Sequence, residues 1–229
     1  MTMGLFDSFF GKAKPAPAVN PIRDTLFGDM PVEHWPPVGT VSIETPWNMF
    51  ETARSNLAAG NSAGAIEEWR KIIQQTNLES RQHLQAWHFL RQYGQQPPPA
   101  TAKQVLGVVI EFAMPNGLDL LAAYPDHSAR YYNYSGAGVI WEHPDRSLDT
   151  AINQVLEASK GIVDKIGPWE QARPAPPPRG QARLNFLTPS GLHFGQATMA
   201  AFSHDPMAGR VLQMGTALMQ ALIAKTIKP

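Results

Sequence analysis

Seven histidines are the side chains best suited to chemistry in this chain of 229 residues. Three of them stand close to an aspartate: Asp126-His127, His143 near Asp145, and His204-Asp205. Each of these adjoins a proline, so turn and helix-cap roles for the aspartates explain the pattern without catalysis. His83 and His88 are five positions apart and do not share a helix face, as an i, i+4 metal pair would. No H-E-x-x-H or facial-triad spacing occurs. With no cysteine, neither a thiolate ligand nor a thiol nucleophile is available. The spacing therefore predicts no metal, no cofactor and no catalytic residue. Any general acid or base work would fall to His127, at a sheet end, or to His193, on an exposed strand face.

Other chemistries find no motif either. No serine sits in a G-x-S-x-G elbow. Gly136-Ala137-Gly138 lacks the third glycine and the following helix of a dinucleotide loop, and reads as a hairpin turn. There is no P-loop. Nineteen basic and nineteen acidic residues balance to zero net charge. With no dense Lys/Arg cluster to displace counterions from phosphates, nucleic acid is excluded as a partner. Pro174-Ala175-Pro176-Pro177-Pro178-Arg179 fits a polyproline ligand pattern, but its place between a helix and a hairpin favours a rigid loop.

The elements that must position these residues fall into four stretches, 1–20, 21–45, 46–94 and 100–229. In the first, Leu5, Phe6, Phe9 and Phe10 form one face of a short helix, followed by a Pro/Ala linker that cannot continue it. This tail docks on the protein itself or on a partner; membrane contact is the lesser reading, because the face is short and poorly basic. Residues 21–45, rich in proline around Trp35, read as an irregular strap, with Val38–Ile43 as a short edge strand. Two helices meet at Gly60-Asn61-Ser62, and a third runs from about Glu79 to Tyr93. Ala59–Ile72, with Ala53, Ala65 and Trp69 at the small and large positions, resembles the centre of one tetratricopeptide repeat. The resemblance implies a helical hairpin over about residues 46–78. It covers one unit, whereas three or more repeats make a solenoid.

After Pro97-Pro98-Pro99 the pattern changes to short β-branched and aromatic runs. Val105–Phe112 is continuous and apolar, as a central strand requires. Asn116-Gly117 signals a hairpin. Strands over Leu118–Tyr124, Arg130–Tyr134 and Val139–Glu142 complete a meander. A helix over 147–166, a hairpin turned at Thr188–Gly191 and a long C-terminal helix follow. Asp205 is expected to cap that last helix, with Pro206 at its first position. Its apolar character suits a core or a homodimer interface. The predicted fold class is α+β: an N-terminal helical hairpin packed with an antiparallel sheet covered by two helices, in the order β-β-β-β-α-β-β-α. That order is loosely similar to profilin-type and roadblock-type domains. Ala123–Gly138 also resembles a segment of bacterial proteins that carry no assigned function, which implies no activity.

Tyr124, Tyr131, Tyr132, Tyr134 and Trp141 crowd the meander. Tyr132 and Tyr134 share one face, and with Trp141, His127 and His193 they make a candidate partner or ligand surface. The function expected is a non-catalytic protein–protein interaction or scaffold module, with a protein partner, in the cytoplasm. The alternative is a small-ligand sensor or enzyme whose site is assembled from scattered residues.

Overall fold

A computed structural model of the chain describes residues 21–37 and 44–226. The expected tail residues Leu5, Phe6, Phe9 and Phe10 and the expected strand over Val38–Ile43 lie outside these. The apolar run after the triple proline becomes β1 (Gly107–Met114), and the Asn116-Gly117 turn returns it as β2 (Gly117–Ala123). β3 (Ala129–Tyr132), β4 (Gly138–Trp141), β5 (Gln181–Thr188) and β6 (Gly191–Thr198) follow. The sheet order is β4-β3-β2-β1-β5-β6, with every neighbouring pair antiparallel. β1 is central and buried on both faces, which is why its sequence does not alternate between apolar and polar.

The two faces of the sheet build separate cores. Val108, Ile110 and Phe112 of β1, with Leu121, Ala123, Leu184 and Phe186, face helices α6 (Asp149–Val163) and α8 (Ala208–Ala224). Ile152, Val155, Leu156, Val211, Leu212 and Leu218 supply the helical side of this layer. On the opposite face Val109, Leu120, Ala122, Tyr124 and Leu187 are covered by Leu26 and Phe27 of the N-terminal strap and by Leu84. The strap begins with α1 (Pro21–Asp24), and its backbone is fixed by the Tyr124 hydroxyl, which donates to the Leu26 carbonyl at 2.6 Å. The α8 stripe is thus spent on the sheet and on α6, and each of its fully buried leucines is worth roughly 1.5–3 kcal/mol.

A third core holds the N-terminal helices. α2 (Trp47–Ala58), α3 (Ser62–Ile73) and α4 (Ser80–Gln92) pack through Phe50, Ala53, Ala65, Trp69, Ile72 and Phe89. Ala53 and Ala65 are fully buried where α2 and α3 approach, so small side chains set that contact. Asn61 starts α3 by accepting from the Gly64 amide at 3.0 Å. α4 opens with a capping box between Glu79 and Gln82. Its other face carries Leu84 onto the sheet, so the helical region and the sheet share α4 as a common wall.

Besides α1 and a single 3-10 turn over Val32–His34 in the strap read as irregular, two short helices depart from the sequence reading. Pro99–Ala102 forms α5, because proline is well placed at the first position of a helix. Met199–His204 forms α7, started by Thr198, whose hydroxyl accepts from the Ala201 amide. Asp205 is not the N-cap of α8, which is Met207; it lies in the turn ahead of the helix, where its Oδ1 accepts from the Met207 and Ala208 amides at 2.9 and 2.7 Å. Pro206 likewise lies in the turn ahead of α8, not at its first position. Among the described residues no helix is long and apolar enough to cross a membrane.

One buried feature has no counterpart in the sequence reading. Glu111 on β1 is fully buried on the strap-side face. It accepts from Arg23 Nε at 2.5 Å and from Asn185 Nδ2 at 3.1 Å, and pairs with Arg183 at 3.4 Å. Burial pushes the Arg183 guanidinium below its ordinary value, and the Glu111 charge opposes that. Both arginines also donate to the Pro174 carbonyl, and Arg183 to that of Ala175. The proline-rich loop is therefore fastened onto the sheet, and Arg173 pairs with Asp24 and Asp29 of the strap. A carboxylate inside a β-branched run was the available signal, but its partners lie far away in the chain.

Candidate interaction surface

The surface is built on the β3–β4 hairpin. Asn133 Oδ1 accepts from the Ser135 amide, and Gly136, at φ 85°, takes the left-handed conformation that completes the turn. Asp119 on β2 fixes the hairpin from the side: Oδ2 accepts from the Tyr131 hydroxyl at 3.0 Å and Oδ1 from the Tyr134 amide at 2.8 Å. Burial, then the Asp119 carboxylate, pushes the Tyr131 hydroxyl up to about 12, so it remains a donor throughout the physiological range.

Register decides which side chains reach the surface. Ile140 pairs with Arg130 and Tyr132 with Gly138 on the strap-side face, where Tyr132 packs on the strap-side core and Ile22 of α1 reaches the hairpin turn at Gly136. A Cβ on Gly138 would lie 2.3 Å from the Tyr131 carbonyl oxygen and 2.4 Å from the Tyr132 ring, so the absent side chain makes room for that ring. Ile140 is 56% exposed and Tyr134 55% exposed, while Tyr132 is half-buried. Arg130, flanking Ile140, is buried and tied to Glu142 at 2.5 Å. Ile140 is thus the exposed apolar residue of β4, with half-buried Tyr132 diagonal to it on β3, while Tyr134 sits beside Gly117 at the β1–β2 turn. β3 ends at Tyr132, so Tyr134 projects from the turn and not from the strand as its spacing implied.

Three residues of the sequence-derived surface are not on it. Trp141 is buried in the core under α6 and α8, with Lys225 over its ring at 5.1 Å. Alternation puts Trp141 on the face opposite Ile140, and that face is covered. His193 is fully buried on the same helix-covered face, paired with Phe186. Its Nε2 lies 3.1 Å from Ser190 Oγ, which in turn meets Thr188 Oγ1 at 2.9 Å. This chain of polar groups braces the β5–β6 turn. Burial lowers the imidazole's proton affinity, the ring lies beside the Ile166 backbone, and among the described residues no carboxylate bonds it. His127 lies at the sheet end as expected, in the β2–β3 turn, and meets His143 and Asp149 there.

The clefts offer little convergent chemistry. An open groove of about 780 Å³ runs beside α7 and α8. Its Asp205 is committed to the α8 amides, and Ser203 to the Ala200 carbonyl. A second, of about 420 Å³, lies between α4 and the proline-rich loop and includes Arg91, Arg173, Asp29 and Trp169. There Arg173 is paired with Asp29, and Arg91 donates to the Pro189 carbonyl at 2.6 Å. These polar groups hold the fold together. Comparison with family models, with curated proteins and with solved structures finds no match for this chain.

Proposed function

We propose that the protein is a non-catalytic interaction module that receives an extended segment of a protein partner along the outer edge of β4, adding a seventh strand to its sheet. The observation that carries this reading is the character of that edge. An edge strand presents unpaired backbone donors and acceptors, and natural edges are usually guarded by charge, proline or a covering element. The other edge, β6, is met by the proline-rich loop, whose Trp169 amide donates to the Leu192 carbonyl at 2.6 Å. Among the described residues no element pairs with the outer side of β4, and its sequence, Gly138-Val139-Ile140-Trp141, contains no charge and no proline.

Strand addition draws affinity from main-chain hydrogen bonds and selectivity from side-chain contacts on alternate positions. Ile140, with Tyr132 diagonal to it, would supply those contacts on one face, selecting a segment with an apolar residue opposite Ile140. In the clefts, Asp205, Ser203, Arg173 and Arg91 are already bonded within the fold, which is consistent with an interaction role. Photo-crosslinking from Ile140 in living cells tests the reading directly. A discrete protein adduct at this position and at Tyr134 is the expected result.

A further inference from the structure

We propose that His127, His143 and Asp149 form a binding site for one zinc-type transition-metal ion, with a fourth coordination position open to solvent. This goes against the sequence spacing, which gave no reason for three ligands to meet, and it is independent of the β4 edge. The convergence comes from register. Ala129 pairs with Trp141, so His127, two residues before β3, and His143, two residues after β4, emerge side by side at one end of the sheet. Both take the left-handed backbone conformation, at φ 62° and 52°. These are the only such non-glycine residues among those described. That conformation is uncommon for a side-chain-bearing residue, and its pairing at adjacent turns brings the two rings to 5.0 Å, roughly edge to face. Asp149, in the first turn of α6, closes the third side.

The donor atoms lie close to the spacing of zinc ligands, and small side-chain rotations would bring all three onto one ion. Four ligands held tetrahedrally at about 2.0–2.2 Å from zinc are roughly 3.3–3.6 Å from one another. His143 Nε2 lies 3.0 Å and His127 Nδ1 3.6 Å from Asp149 Oδ1, and all three donor atoms lie within 4.8 Å. A plain ion cluster at a helix N-terminus is the competing explanation, since a carboxylate is favoured there. In such a cluster a ring N–H would point at the carboxylate. Instead Asp149 Oδ1 is shielded from solvent and accepts no hydrogen bond among the described residues, despite the 3.0 Å approach of Nε2. Arg146 approaches the other oxygen, Oδ2, at 3.7 Å with 91% of its side chain exposed, leaving Oδ1 to an ion.

Two imidazoles and one carboxylate suit zinc and its neighbours in the first transition row better than magnesium or calcium, which take oxygen ligands. A cleft of about 460 Å³ runs along α6 nearby, but none of the three ligands lines it, so the fourth position is left to water.

The experiment is calorimetric titration of tag-free, chelator-treated protein with zinc chloride alone, alongside visible spectra with cobalt(II) alone. Saturable uptake of one zinc per chain is expected, with a tetrahedral cobalt spectrum. His127→Gln, His143→Gln and Asp149→Asn should each weaken zinc affinity by about 100-fold or more. His204→Gln, at an exposed histidine on α7, should leave it unchanged. Melting temperatures of the metal-free variants show that each is folded, and the near-isosteric Asp149→Asn serves if a histidine variant is not. No saturable uptake overturns the proposal. So does uptake that the three variants leave intact, or an octahedral cobalt spectrum, either of which marks adventitious binding elsewhere on the surface.

Discussion

Replacing Glu111 by glutamine changes one buried charge while keeping the side chain's shape. The carboxylate is fully buried and faces two guanidinium groups whose side chains are 8% and 4% exposed, Arg23 and Arg183. The amide can accept from one arginine but turns a donor toward the other, so one buried cation loses its counter-charge. Breaking a buried pair from one side costs about 3–5 kcal/mol. Glutamine retains part of the hydrogen bonding, and the arginines keep the Pro174 carbonyl, so the lower end, about 3 kcal/mol, is expected. For a chain of this size that lowers the melting temperature by roughly 6–12 °C. Urea denaturation and thermal melting of Glu111→Gln against wild type measure it. Limited proteolysis should also show faster cutting after Arg179, because the proline-rich loop is fastened by the same two arginines. A loss below about 1 kcal/mol, with unchanged proteolysis, would refute the argument that this charge holds strap, loop and sheet together.

Acid sensitivity should follow from buried His193 and from half-buried His83 and His88. Burial holds His88 down to about 4, and lowers His83 and His193 in the same direction. The unfolded chain then binds the extra protons, so stability is full above the ordinary value near 6.5 and falls as pH drops toward 4. The slope is at most about 1.4 kcal/mol per pH unit for each group, and melting curves of His88→Gln should be flatter over that window than those of wild type; parallel curves would contradict this. Gly28→Ala should cost about 2 kcal/mol or more in urea denaturation, since Gly28 has φ 61° and an added Cβ would lie 2.6 Å from Leu84 Cβ. A neutral substitution would show that the strap is not seated on α4 as described.

Much of the fold is legible because local rules and tertiary structure agree. The unbroken run around Val108–Phe112 could only be satisfied at the centre of a covered sheet, and Asn116-Gly117 could hardly avoid a hairpin. The aspartates of the three histidine-proximal turns do what turn chemistry demands: Asp126 accepts from the Ser128 amide, Asp145 from Ser147, and Asp205 from the start of α8. What escaped the sequence is what depends on which face a distant element covers. Ile140 and Trp141 point oppositely by simple alternation, yet only the placement of α6 and α8 makes Trp141 core and Ile140 surface. His193 is buried for the same reason. The Glu111 network joins a strap, a strand and a loop, and the His127–His143–Asp149 cluster needs the β3–β4 register, so neither leaves a fixed spacing in the chain.

The most direct test of the edge-binding account is photo-crosslinking in cells from Ile140 and from Tyr134, compared with Glu67 on α3 and Arg210 on α8, both exposed and outside the β3–β4 hairpin. The account predicts a discrete heavier adduct, containing a different protein, from the first two positions and not from the controls. It also predicts that Ile140→Lys removes the adduct formed from Tyr134. Absence of adducts at both edge positions, equal labelling from all four, or an adduct made only of a second copy of this chain would contradict it.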